Sequence, residues 1–494
     1  RLSIADSRKK LNNSSPARLC VTLNCIKPDL PKEERKVGML KLRDANVLII
    51  KEFPNKNISI SSLMLSLGIK QHKIIHLNSP HEALNRTFHG RFDILICDQS
   101  FRKNTVKSQD LILELRKSKT IDERSTIIMD CADSSIRDSS YYFGDVHLKP
   151  EDNQRDISVL IRKVFEKKNK VWPLLQRNDI ECADEMEKRY QFFEQHYFEY
   201  QYDFKLNRAH HHLVKRELKQ ATELYGALIK EAGKRDYSLE ISLFLNALVL
   251  NAQSDDALEL YNKFNSAKFQ LGQPFDEIGT LLMLQNGSIQ DAYRLLTRSG
   301  SRWGLSLAHQ TSLALMSIAA GRYDDALVHF SSGLNTAKLI NRDVAQHTLN
   351  YLFALLMLWM RSEEGSGLYE KKFDQVVKEM SRHKLTESES QHLALIQLHA
   401  EFLTGARQSA ESVLDSFTRK LDKVSCVAKI HALFLSTGLS NKDNLTLIFD
   451  NLLHHDSVFM FEPLPPVCAA LVKRIDFKQF ASDMKRFNRE KVAE

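Results

Sequence analysis

The chain has 494 residues, 43% hydrophobic and 27% charged, the mix of an ordinary soluble globular protein with room for roughly two to four domains. No apolar run reaches the roughly 18 residues of a membrane-spanning helix, and seven cysteines at irregular spacings, with no CxxC pair, argue against a disulfide framework or a zinc site and fit a reducing cytoplasm. The net charge of +8 arises from 70 basic against 62 acidic residues, a mixed surface that gives nucleic-acid binding little support.

Residues 1–42 are expected to be a disordered extension. They are rich in Ser, Asn, Lys and Pro, carry the charge run PKEERK, and show no compact apolar core of a secretory signal over 1–38. From Met39 onward two periods alternate. VLII (47–50) is a short apolar run, as in a strand buried on both faces. A helical pattern through Ile58, Leu63, Leu65 and Leu67 ends at Gly68. KIIHL (73–77) predicts the second strand, and SPHEALNRTF a helix capped by Ser79 with Pro80 in its first position. DILIC (93–97), STIIM (125–129) and DVHL (145–148) predict three further strands, VKSQDLILELRKS a helix, and DISVLIRKVFEKKNK a closing amphipathic helix. The segment ADSSIRDSSYYFGDVHL, before the fifth strand ends, reads as a poor helix. Five strands alternating with helices imply a doubly wound parallel sheet over residues 43–170, with its crevice at the carboxyl ends of the strands.

The strand ends of this region, VLIIKEFPN, FDILICDQS, STIIMDCAD and HLKP, together resemble the response-regulator receiver domain of two-component signalling, a flavodoxin-like fold. The resemblance implies phosphoryl transfer to a carboxylate, with Mg²⁺ held by an acidic pair and the acyl phosphate paired by a lysine. By that resemblance Asp98 matches the phosphoacceptor, Lys149 the pocket lysine and Glu52 the second acid; Glu52 and Asp98 would be the metal ligands if Mg²⁺ bound at all. Three positions depart from the pattern: Lys51 replaces the first acid, Cys131 falls at the hydroxyl position and Val146 at the aromatic one. The ammonium of Lys51 would stand where the metal sits. Two unit charges ~4 Å apart interact by about 4 kcal/mol at an effective dielectric of 20. Metal binding would be weakened, while Lys51 and Lys149 could clamp Asp98 and mimic an occupied state.

Residues 171–205 are expected to form a connecting helix. Met186, Tyr190, Phe193, Tyr197, Tyr200 and Phe204 recur at steps of 4, 3, 4, 3 and 4, which reads as the buried face of the first helical hairpin. Over 206–494 small residues at Ala221, Ala257, Ala292 and Ala326 are spaced 36, 35 and 34 apart, each followed four positions on by Tyr225, Tyr261, Leu296 or Phe330. Weaker copies fall at Ala410 with Leu414 and at Leu445. The spacing resembles the tetratricopeptide (TPR) repeat, in which a small residue on the second helix lets the first approach. That resemblance implies a helical solenoid whose concave groove binds proteins or peptides. The triplet His210–His212 fans around its helix and reads as a solvated face, not a metal site. No Walker-type loop, GxSxG, HExxH or helix-turn-helix is present.

The expected architecture is therefore α/β plus all-α, a flavodoxin-like receiver followed by a TPR-like solenoid. The expected function is that of a cytoplasmic bacterial signalling adaptor, not an enzyme, without a cofactor and not phosphorylated in the usual Mg²⁺-dependent way. Its partners would be other proteins, with a histidine kinase or a second copy of the chain (a homodimer) as further candidates, and neither membrane nor nucleic acid. The alternatives are a regulator switched by phosphorylation of Asp98, with Mg²⁺ as cofactor, and a nucleic-acid-binding transcriptional regulator.

Overall fold

A computed structural model describes residues 40–482, apart from 53, 99–100, 102–105, 107, 131–143, 149–152, 176–182, 232–236, 267–272, 304, 362–365, 381, 383, 405–409, 440 and 455–462. The expected extension at 1–42 thus lies almost wholly outside the described residues, as do the poor-helix segment 131–143 and Lys149.

Five strands form one all-parallel sheet in the order 2-1-3-4-5: β1 (Val47–Ile50), β2 (Ile74–Leu77), β3 (Ile94–Asp98), β4 (Thr126–Asp130) and β5 (Val146–Leu148). Side chains alternate across a strand, so each strand feeds both faces. Val47, Ile49, Ile94, Ile96 and Ile128 pack with α1 (Pro54–Ser66) and α4 (Gln154–Leu175). Leu48, Ile50, Leu95, Cys97, Ile127 and Met129 pack on the other face, towards α2 (Pro80–Asn85) and α3 (Ser108–Lys117). Continuous apolar runs are what a sheet covered on both sides requires. The local signals act as read. Ser79 Oγ accepts the Glu82 N–H at 3.1 Å with Pro80 in the first turn, and Gly68 ends the first helical segment at φ +88°.

Among the described residues beyond Leu175 every regular element is helical. The expected single connecting helix over 171–205 is instead the tail of α4, then α5 (Ala183–His196), a 3-10 turn at Phe198–Tyr200 and the start of α6 (Gln201–Val214). The aromatic stripe breaks at this turn. Tyr190, Phe193 and Phe204 are buried together with Val171, whereas Tyr197 is exposed. The remaining helices are α7 (Leu218–Glu231), α8 (Ser238–Leu250), α9 (Ser254–Ser266), α10 (Gln273–Gln285), α11 (Ile289–Trp303), α12 (Leu307–Ala319), α13 (Tyr323–Ile340), α14 (Val344–Trp359), α15 (Ser366–Met380), α16 (Glu387–Thr404), α17 (Ala410–Thr418), α18 (Cys426–Gly438), α19 (Lys442–Leu453) and α20 (Leu464–Val472).

Neighbours pair as hairpins, and the spaced alanines explain how. Ala221, Ala257, Ala292 and Ala326 sit on the second helix of successive pairs and are fully buried, with Tyr225, Tyr261, Leu296 and Phe330 buried one turn later. In α19 the buried positions are Asn444 and Ile448, so the last copy lies one residue before Leu445. The side chain of Ala410 lies outside the described residues. The complement to a large residue is a small one opposite. A Cβ added to Gly279 of α10 would come within 2.4 Å of the Tyr261 ring. Gly279→Ala is therefore expected to destabilise the chain by about 1–3 kcal/mol, read as a lower urea midpoint; an unchanged midpoint would show that the Tyr261 ring moves freely.

The first helices of the pairs are buried nearly all round, α12 and α14 most completely. Their inner face is closed by α20. α20 packs on α10 and α12 as well as on α18 and α19, and one apolar cluster runs from Ile241 to Phe480. The open concave groove expected of the array is thus filled over α10 and α12. Among the described residues no helix is long and apolar enough to cross a membrane.

The sheet and the helical array meet through α2 and α3. Leu307, Ala337 and Ile340 join the same apolar cluster as Leu111, Ile112 and Leu115. The Arg342 guanidinium pairs with Glu114 at 2.9 Å, and His81 Nδ1 meets the Leu339 carbonyl at 2.7 Å. Arg342→Ala is expected to loosen this junction by about 1–3 kcal/mol, measured as faster amide exchange over 108–117. Exchange unchanged there would show that apolar contact alone holds α3.

Candidate functional site

The site forms where the strand order reverses, at the carboxyl ends of β1 and β3, the place at which doubly wound sheets open a crevice. β3 ends in Asp98 and β4 in Asp130, and the register places these two residues directly opposite each other. Lys51 follows β1, its N–H donating to the Leu77 carbonyl of β2 at 3.0 Å. Its side chain is wholly buried. The ammonium lies 3.4 Å from Asp98 Oδ1 and forms an ion pair with Asp130 Oδ2.

Asp98 is held from further directions. The Glu52 backbone N–H donates to its Oδ2 at 3.0 Å, and the Ser108 hydroxyl, at the start of α3, donates to its carbonyl at 2.7 Å. Both carboxylates are mostly buried, with side-chain exposures of 14% and 17%. A buried charge survives only when paired and hydrogen-bonded, and one ammonium between two carboxylates meets that need. The ammonium engages one oxygen of each carboxylate, and its charge opposes a divalent cation at the same place. Among the described residues no group of three or more His, Cys, Asp or Glu side chains could hold a metal ion.

Of the residues expected at this site, Asp98, Lys51 and Glu52 come together, and Lys149 and Cys131 lie outside the described residues. The residue opposite Asp98 on the fourth strand is Asp130, because β4 extends one residue beyond the expected end. Val146 is buried with Ile128 on the α1 and α4 face of the sheet. Asp130 and Ser108 were not foreseen. Extending both expected strands, 93–97 and 125–129, by one residue would have found Asp130 beside Asp98.

Two further clusters carry titratable groups. At the junction of sheet and array, burial pushes the Asp110 carboxyl up to about 6 against the pull of Arg342. Burial alone would lower His309, but Glu277, 2.9 Å from its Nε2, outweighs it and holds the imidazole above its ordinary value. Deep in the array His392, His399 and His431 are fully buried. His399 Nδ1 lies 3.0 Å from His431 Nε2, and Phe353 stacks on His431 at 4.4 Å. Burial lowers His392 and His399 to about 3, and burial with the neighbouring imidazoles lowers His431 well below its ordinary value. The triplet His210–His212 is not a solvated face. Its rings are half-buried, with His210 Nδ1 2.7 Å from the Leu206 carbonyl and His212 Nδ1 2.5 Å from Glu217.

No protein-family model matches the chain, and no curated protein or solved structure does.

Proposed function

We propose that the chain is a signalling adaptor in which a receiver-like domain has exchanged its metal for a lysine and serves as a fixed scaffold for a TPR-like array. One observation carries this reading: the Lys51 ammonium is buried between Asp98 and Asp130, in the place a divalent cation would take. A fixed cation of this kind holds the pocket in one charge state and leaves no exchangeable ion to bring a phosphoryl group in. Asp98 is then a structural anion. Its carbonyl is tied to Ser108 at the start of α3, and α3 is tied to the array through Glu114 and Arg342. The clamped site thereby fixes the surface on which the helices dock.

The role is binding, not catalysis, and the partners are other proteins, a histidine kinase among the candidates. Among the described residues Cys97, Cys426 and Cys468 are not joined in disulfides, which fits the reducing cytoplasm of this reading. The test is a titration of the full chain with beryllofluoride and Mg²⁺, followed by ¹⁹F NMR. The unaltered chain is expected to give no bound fluoride signal. A saturable signal that disappears in Asp98→Asn would sink the adaptor reading and favour the phosphorylation-controlled one.

A further inference from the structure

α20, the element that fills the inner face of the array, brings Cys468 into contact with Cys426 on α18. We propose that Cys426 and Cys468 form an oxidisable pair, which a hydroperoxide converts to a disulfide that staples α20 to α18 and holds the inner face shut. This rests on none of the residues around Asp98 and is independent of the function proposed above.

Both thiols belong to one apolar cluster, Cys468 wholly buried within it and Cys426 half-buried at its edge. The Cys468 S–H donates to the Cys426 sulfur. That bond, and then burial, hold the Cys468 thiol well above its ordinary value, so it stays protonated beside its partner. Cys426 is the first residue of α18, which opens on a cap: the Ser425 hydroxyl accepts the Ala428 N–H at 3.2 Å. Cys426 thus sits at the positive end of a helix, and Lys429, one turn on, is close enough to act on the paired thiol. A half-exposed cysteine at a helix N-terminus beside a lysine, with a second thiol in contact, has the surroundings of redox-reactive cysteines. Cys97, the third cysteine among the described residues, lies apart in β3, its thiol 3.5 Å from Met129 Sδ.

The Cys426 sulfur, as thiolate, attacks one oxygen of the hydroperoxide. The O–O bond breaks, a sulfenic acid forms on Cys426, and the departing oxygen takes up the proton that the thiol had released. The Cys468 sulfur then attacks the Cys426 sulfur. The S–S bond forms, the S–O bond breaks, and the leaving hydroxyl carries off the Cys468 proton as water. The two thiols together give up an electron pair to one peroxide, and hydrogen peroxide ends as water. The Cys468 proton already points at the sulfur from which that hydroxyl leaves. Because α20 also packs on α10 and α12, a covalent bond to α18 removes its freedom to leave them.

The test treats the full chain with a few equivalents of hydrogen peroxide, blocks the remaining thiols with N-ethylmaleimide, and maps the linked peptides by mass spectrometry. Of the seven cysteines, Cys426 and Cys468 are expected to appear joined, in a peptide that dithiothreitol separates. Cys468→Ala should leave a sulfenic acid on Cys426 that dimedone traps, whereas Cys426→Ala should leave Cys468 unmodified. Amide exchange over α20 should slow roughly tenfold or more on oxidation and recover with dithiothreitol. Circular dichroism melts establish that each variant folds, and the comparison of oxidised with reduced unaltered chain needs no variant. Absence of the linked peptide, preferential linkage of either residue to a different cysteine, or exchange over α20 unchanged by the link would each overturn the proposal.

Discussion

Lys51→Met is expected to destabilise the protein by about 3–5 kcal/mol, because it leaves Asp98 and Asp130 facing each other, mostly buried, with no cation between them. Methionine keeps the length and apolar stem of lysine, so the loss reports the charge and not a cavity. Two consequences separate this from a general packing defect. Adding Asp98→Asn to Lys51→Met should recover part of the loss, since one of the two repelling carboxylates is gone. Millimolar Mg²⁺ should raise the melting temperature of Lys51→Met and leave that of the unaltered chain unchanged. Urea denaturation and melts with and without MgCl₂ measure both. If Lys51→Met costs less than about 1 kcal/mol, the pair behaves as a surface ion pair and the site has no special standing.

Stability is expected to fall steeply with acid. His392 and His399 are lowered to about 3, His211 and His347 to about 4, and His431 well below its ordinary value, in each case by burial first. Each is neutral in the fold and takes up a proton near the ordinary value of about 6.5 once the chain unfolds. Their contribution is therefore complete above about pH 6.5 and is lost as pH falls towards the folded values, at up to about 1.4 kcal/mol per pH unit for each imidazole. Asp110 and His309 act in the opposite sense. Both are raised in the fold, so their contribution is fully present at low pH and is lost as pH rises through their folded values. Two groups against five leave a net loss on acidification. Urea midpoints between about pH 7.5 and about pH 5 measure it, and His431→Phe, which keeps an aromatic ring beside Phe353, should flatten the profile. A flat profile in the unaltered chain would show that the three core imidazoles already carry protons in the fold.

Much of the α/β half was legible because its signals are local. Apolar runs such as VLII and ILIC, a Ser-Pro helix start and a glycine at positive φ each act within a few residues. The Lys51–Asp98 contact was legible because both residues end or follow strands whose order fixes their neighbours. Asp130 was not, since the expected fourth strand stopped one residue short of it, and periodicity fixes strand ends poorly. The alanine spacing exposed the helix pairs because close approach demands a small residue at one place in each turn. The fate of the inner face had no such signature. α20 reads LPPVCAALV, a short apolar stretch with nothing to say where it packs. The histidine trio was illegible too, since His392, His399 and His431 belong to two helices brought together only by the array.

An open solenoid is held by nearest-neighbour contacts and can grow from one end. Here Arg474 bonds the carbonyl of Gln285, 189 residues earlier. That link, with the packing of α20 on α10 and α12, adds distant contacts to an array otherwise held by neighbours, and distant contacts form late. During synthesis α10 and α12 stay uncovered until α20 has left the ribosome. A premature stop upstream of α20 would release a protein with a long apolar trough and no means of shielding it, a substrate for chaperones and proteases.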